Sequence, residues 1–226
     1  MTKIKYYIIA FILSVLTFHS FGQNYHAIDS LKKGLKTAAT ESRIEILNQI
    51  GWEYRLSKPD TTIFYSQMAY DLALQSKKFT DASVSLNYMG IAYAYKGDPV
   101  QSFFHYEQSV ELFKQHLDST QLAYAYNNIG RLLFGQADMV KSYEYLAKAL
   151  VIFEKNNDLA GLGYTYQSLV RLYQSQENYP KAFEISKKVL QIREETKNIR
   201  GQISSLQEIA TILEVMKDYF SAQNQL

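Results

Sequence analysis

A chain of 226 residues, 47% hydrophobic and 20% charged, has room for one or two domains and a sizeable core. It contains no Cys, which excludes a disulfide framework and thiolate metal sites. The formal net charge is +2, and loss of Lys3 and Lys5 with an N-terminal leader leaves 22 basic against 22 acidic residues, so no basic footprint for nucleic acid and no polybasic membrane patch is present.

The chain opens on such a leader. Lys3 and Lys5 precede an uncharged, mostly apolar run from Tyr6 to Phe18, and Ser20-Phe21-Gly22 then places small residues where a signal peptidase reads. Residues 1–22 are expected to be a secretory signal peptide, cleaved before Gln23. The product would be exported to the periplasm or the exterior of a bacterial envelope. The apolar run is shorter than the ~20 residues of a membrane span, which favours cleavage over anchoring. No Cys follows that could carry a lipid, and no membrane span follows residue 22. Segment 23–40 places Ile28, Leu31 and Leu35 on one face and reads as an N-terminal capping helix for the rest of the chain.

Beyond it the sequence repeats at about 40 residues. Small or compact residues recur at Gly51, Gly90, Gly130, Val170 and Ala210. Four positions before them stand Leu47, Leu86, Tyr126, Tyr166 and Leu206, and three after them Tyr54, Tyr93, Leu133, Tyr173 and Leu213. That spacing puts each set on one face of an amphipathic helix. A second helix comes next in each unit, opened by Asp98, Asp138, Asn178 and Asp218, side chains that can accept from an orphan backbone N–H. Small residues at Thr62, Ser102, Ser142, Ala182 and Ala222, and again at Ala69, Ser109 and Ala149 (with Val189 in the fourth unit), mark where helices approach closely. The units read as 41–79, 80–118, 119–158, 159–198 and an incomplete 199–226, in which the second helix would start near Asp218 and run only two turns.

This ladder resembles the tetratricopeptide repeat (TPR) family. The resemblance is carried by residues such as Tyr126, Ile129, Gly130, Asp138, Ser142, Leu146 and Ala149, and it spans residues 41–226. The period exceeds the usual 34 residues and is similar to a subgroup with longer helices. The resemblance implies an all-α, right-handed α-solenoid of helix hairpins with the first helices lining a concave groove. Exported arrays of this kind resemble the sensor portions of bacterial signalling proteins.

Signatures of catalysis are missing. There is no HExxH, P-loop or GxSxG, and His26, His105 and His116 share no i, i+4 spacing. The chain is expected to be no enzyme and to need no cofactor or metal. The groove carries the candidate site. Amides recur three residues before each small position: Asn48, Asn87, Asn127, Gln167 and Gln207. Arg131 and Arg171 stand one residue after, and Tyr124 and Tyr164 lie six before. Amides offer a donor and an acceptor to a peptide backbone, and an arginine holds a carboxylate bidentately. The expected ligand set is therefore Asn87, Tyr124, Asn127, Arg131, Tyr164, Gln167, Arg171 and Gln207, facing a protein or peptide partner. The amides have a purely structural alternative, bonding from one repeat to the next, and Asn128 is the residue best placed for it. A rival function is self-association through the uncapped C-terminal face, as in an assembly protein of the envelope.

Overall fold

The computed structural model describes residues 25–116 and 119–223, with side chains between 26 and 217. The leader expected at 1–22, with its His19, and the side chains of Asp218 and Ala222 lie outside the described residues. Among the described residues there are ten helices and no strand: α1 (Tyr25–Leu35), α2 (Thr40–Tyr54), α3 (Pro59–Gln75), α4 (Phe79–Lys96), α5 (Pro99–Gln115), α6 (Ser119–Gly135), α7 (Met139–Asn156), α8 (Leu159–Ser175), α9 (Tyr179–Glu195) and α10 (Ile199–Gln223). Each helix packs on its neighbours in sequence. In addition the backbones of α2 and α4, of α4 and α6, and of α6 and α8 approach closely, whereas those of α3, α5, α7 and α9 stay apart and meet only through side chains, as where the Tyr145 hydroxyl donates to Glu107. The first helices of the hairpins therefore line the inside of a curve and the second helices splay around the outside. The result is an α-solenoid in which every hairpin meets only its neighbours.

The turns explain the regularity. Lys77, Gly97, Ala137, Asn157, Glu177 and Lys197 all adopt positive φ, between 53° and 75°. The amide of the next residue then reaches back five positions: Lys78 to Ala73, Asp98 to Tyr93, Asp138 to Leu133, Asp158 to Phe153, Asn178 to Tyr173 and Asn198 to Arg193, at 2.8–3.0 Å. This closes the helix with a left-handed residue and satisfies its last carbonyls. In five of these turns the same residue opens the next helix. Asp98, Asp138, Asp158, Asn178 and Asn198 each accept from the backbone N–H three positions on, at 2.9–3.3 Å. First and second helices end alike, so the structural half-period is 20 residues.

Asp218 behaves differently from the expectation that it would start a second helix. α10 continues unbroken through it to Gln223. Leu206 and Leu213, expected to pack like Leu47 and Tyr54, are 54% and 45% exposed, since among the described residues the backbone of α10 approaches closely only that of α9.

Inside the hairpins, the small residues do more than make room. Thr62, Ser102 and Ser142 are fully buried, and their hydroxyls donate to the carbonyls of Gly51, Gly90 and Gly130 at 2.9, 2.8 and 2.8 Å. A Cβ on Gly90 would meet the Tyr106 ring at 2.5 Å, and one on Gly130 would lie 2.8 Å from Leu146 and 3.1 Å from the Ser142 carbonyl. The fourth hairpin substitutes a purely apolar pair, Val170 against Ala182, both fully buried.

Candidate peptide-binding groove

The inner face is built from α2, α4, α6, α8 and α10, and its amide ladder resolves into different rungs. Asn48, Asn87 and Asn127 are 6%, 4% and 3% exposed. Asn48 Oδ1 accepts from the Ser85 hydroxyl at 2.9 Å, and Asn87 Oδ1 accepts from Asn128 Nδ2 at 3.1 Å. These bonds join first helices of adjacent hairpins. Gln167 Oε1 accepts from Arg193 Nη2 at 3.0 Å, while Arg193 Nη1 also holds the Gly201 carbonyl and the Ser205 hydroxyl at 2.8 and 2.6 Å. Gln207 is exposed on α10.

Asn127 is the exception. Its Oδ1 is buried without a hydrogen-bond partner. In the next repeat the position of Asn128 is taken by Ser168, whose shorter side chain donates to the Tyr164 carbonyl of its own helix at 3.0 Å. The stitch that satisfies Asn87 is therefore missing one repeat later, and a buried acceptor is left open, a state that costs about 1–3 kcal/mol.

Beside it, Arg131 lies one turn further along α6 and is exposed, as is Arg171 on α8. Among the described residues neither guanidinium forms an ion pair. Arg171 has a carboxylate in range: burial pushes the Glu208 carboxyl up, and the charges of Arg171 and Arg193 draw it back down. Arg131 is the less compensated cation. Tyr164 is 59% exposed. Tyr124 is half-buried, edge-on to Phe153 with ring centroids 4.8 Å apart. Burial, then the charge of Asp158, holds its phenol well above the usual range, so it stays a neutral donor. The structure thus brings Tyr124, Asn127 and Arg131 onto one face of α6, and Tyr164 and Arg171 onto the facing stripe of α8. It commits Asn87 and Gln167 to bonds within the stack.

One feature of this surface is absent from the expected ligand set. Trp52, the only Trp of the chain, is 38% exposed at the N-terminal end of the inner face. Its ring lies 5.2 Å from that of Tyr88 on α4. The Arg55 guanidinium stacks on it at 3.6 Å and donates to its carbonyl at 2.6 Å. Trp52 and Tyr88, with Gln49 and Glu53 of α2 and Ala27, Ser30 and Leu31 of α1, enclose an open cleft of about 390 Å³. The signal was available, because Trp52 stands directly after Gly51 as Arg131 stands after Gly130. The same register rule that selects the arginines selects this ring.

Among the described residues no three His, Asp or Glu side chains gather as metal ligands, and no helix is long and apolar enough to cross a membrane. Residues 121–195, which include α7, α8 and α9 and nearly all of α6, match the model of the tetratricopeptide repeat family. That segment carries tetratricopeptide repeats, and the described helices as a whole have the fold of TPR-like repeat proteins. Solved TPR-like structures share the fold. A Rap protein complexed with Competence and Sporulation Factor matches at a TM-score of 0.72 and 17% identity, over 84% of this chain and 58% of that one. A kinesin light chain of Podosopora anserina with nearly identical TPR-like repeats matches at 0.60 and 16%, over 83% and 92%. A signal transduction ATPase with numerous domains and a TPR sensor, from Pyrococcus horikoshii, matches at 0.63 and 14%, over 87% of this chain. The chain thus spans 58% of the Rap protein and 33% of the ATPase. No curated protein matches it. TPR arrays are typically non-catalytic binding scaffolds with an extended concave surface.

Proposed function

We propose that this TPR array is an exported, non-catalytic module that binds a protein or peptide in its groove, as the sensor or interaction portion of a bacterial signalling protein. The observation that carries the reading is the α6 rung, where the open buried acceptor of Asn127 sits one turn from the exposed Arg131. A stack gains nothing from an unpaired guanidinium, whereas a peptide supplies a carboxylate to it, and the buried Asn127 amide beside it would gain a partner on turning outward to that peptide. The Rap protein complexed with its factor and the TPR sensor of the ATPase support the class of function. The leader at 1–22 supports export.

The groove is tested with the purified mature chain as bait in an envelope extract, beside a variant carrying Arg131→Ala and Arg171→Ala. The expected result is a partner retained by the first and lost by the second. Equal capture overturns the groove reading. Export is tested by intact mass of the protein recovered from cell fractions: a chain starting at Gln23 in the envelope fraction supports it, and a full-length chain retained inside the cell overturns it. The rival reading, self-association through the face of α10 that carries the exposed Ile199, Ile203, Leu206 and Leu213, is separated from this one by light scattering at micromolar concentration, since a monomer excludes self-assembly.

A further inference from the structure

The groove is chemically divided. Its N-terminal end, where α1 meets α2 and α4, is an aromatic cleft: Trp52 and Tyr88 wall it, Leu31 lies at its side, and Arg55 is occupied by the Trp52 ring and carbonyl. Its middle is cationic: Arg131 is exposed without an ion pair among the described residues, one turn from the buried, unpartnered Asn127 Oδ1. Trp52 and Arg131 occupy the same register on α2 and α6, one residue beyond Gly51 and Gly130, with α4 between them. Between the two ends, Asn128 Nδ2 donates to Asn87 Oδ1 and Ile91 is half-buried. That stretch offers little to a ligand's side chains.

We propose that the partner is an extended peptide with two anchors: a large apolar or aromatic side chain in the Trp52–Tyr88 cleft, and a carboxylate on Arg131. This rests on the groove reading and deepens it. The cleft excludes a carboxylate as its occupant, because Glu53 lines it and Arg55 is already engaged. The guanidinium of Arg131 in turn selects a negative group. The spacing comes from the stack. Adjacent packed helices are about 8–10 Å apart, so two steps from α2 to α6 cover about 16–20 Å. An extended chain advances about 3.3 Å per residue, which places the carboxylate about five or six residues from the apolar anchor. A peptide with both anchors at that separation engages both ends at once, and the second contact is intramolecular.

The test uses defined peptides. A fluorescein-labelled probe carries Phe and, five residues on, Asp, joined by Ser-Ala spacers. Three relatives carry Phe→Ser, Asp→Asn, or a spacer cut to two residues. Anisotropy against the mature chain gives affinities, and Trp52, as the only Trp of the chain, reports occupancy of the cleft by its own emission with unlabelled peptide. The expected result is that each altered peptide binds about tenfold more weakly or worse. Trp52→Ala should remove the preference for Phe over Ser, and Arg131→Ala the preference for Asp over Asn. If the Asp preference persists and depends on Arg131, but the Phe→Ser and short-spacer peptides bind as well as the parent, the two-anchor proposal falls and the groove reading stands. If no peptide binds while circular dichroism reports a folded array, both fall.

Discussion

The third and fourth hairpins perform the same task with different chemistry. In α6 and α7 a glycine lets the helices approach, and a buried Ser142 hydroxyl donates to the Gly130 carbonyl at 2.8 Å. In α8 and α9 the matching residues are Val170 and Ala182, both fully buried, and apolar contact replaces the hydrogen bond. The second small position behaves likewise, with Ala149 in the third hairpin and Val189 in the fourth. Close approach is therefore one of two workable solutions, and each hairpin is built around the one it uses. The residues of one are not interchangeable with those of the other.

The largest break in that comparison is to give the third hairpin the fourth's residue. Gly130→Val puts a Cβ within 2.8 Å of Leu146 and 3.1 Å of a backbone carbonyl that cannot withdraw. It should cost about 3 kcal/mol or more, measured as a lowered urea midpoint at unchanged m-value. A loss under about 1 kcal/mol would show that the hairpin relaxes freely. Next in size is Ala149→Leu, which overpacks the cluster of Ala123, Ala149 and Phe153 and should cost about 1–3 kcal/mol. An unchanged melting temperature would place Ala149 outside the inter-helix contact. Smaller again is Ser142→Ala, which removes the hydroxyl while the Gly130 carbonyl keeps its bond within the helix. About 0.5–1.5 kcal/mol is expected, and the fourth hairpin offers the converse, since Ala182→Ser buries a hydroxyl in a contact built on apolar packing and should destabilise by a similar amount. If neither substitution moves the denaturant midpoint, the hydroxyl serves only as a small side chain.

The smallest effect concerns pH. His105 on α5 stacks on Tyr93 with centroids 5.1 Å apart and keeps a buried, unpartnered Nδ1. Burial lowers its pKa from the ordinary 6.5. The unfolded chain therefore takes up the proton more readily than the folded one, so His105 lowers stability as pH falls through and below about 6.5. Tyr65 and Tyr145 hold the matching positions in the first and third hairpins. His105→Tyr should flatten the difference in urea midpoint between pH 7.5 and 5.5, and an identical difference in the variant would assign it to other groups.

Much of this architecture was legible in the chain. The spacing of 39 or 40 residues between Gly51, Gly90 and Gly130, and of 40 between Thr62, Ser102 and Ser142 and between Asp98, Asp138 and Asn178, marks residues whose roles are local or repeated. The 20-residue half-period was harder to read. Of the six left-handed turn residues only Gly97 and Asn157 have the usual identity, and Lys77, Ala137, Glu177 and Lys197 carry no sign of their conformation. The groove was partly legible, since register points to Arg131 and Arg171 without any contact being known. Its inner bonding was not. Whether an asparagine is a ligand or a stitch depends on a residue about 40 positions away: Asn128 satisfies Asn87, and Ser168 falls short of Asn127.

By itself, then, the sequence determined the helices, their pairing and the face each one buries, because amphipathic spacing, caps and small contact residues act within one or two turns of the chain. The tertiary structure decided which polar groups are used up and which are left over. That question is settled between helices, by side-chain length and by which residue stands opposite. Hence Asn87 is used up and Asn127 left over, and Trp52 becomes the wall of a cleft only once α1 and α4 stand beside it.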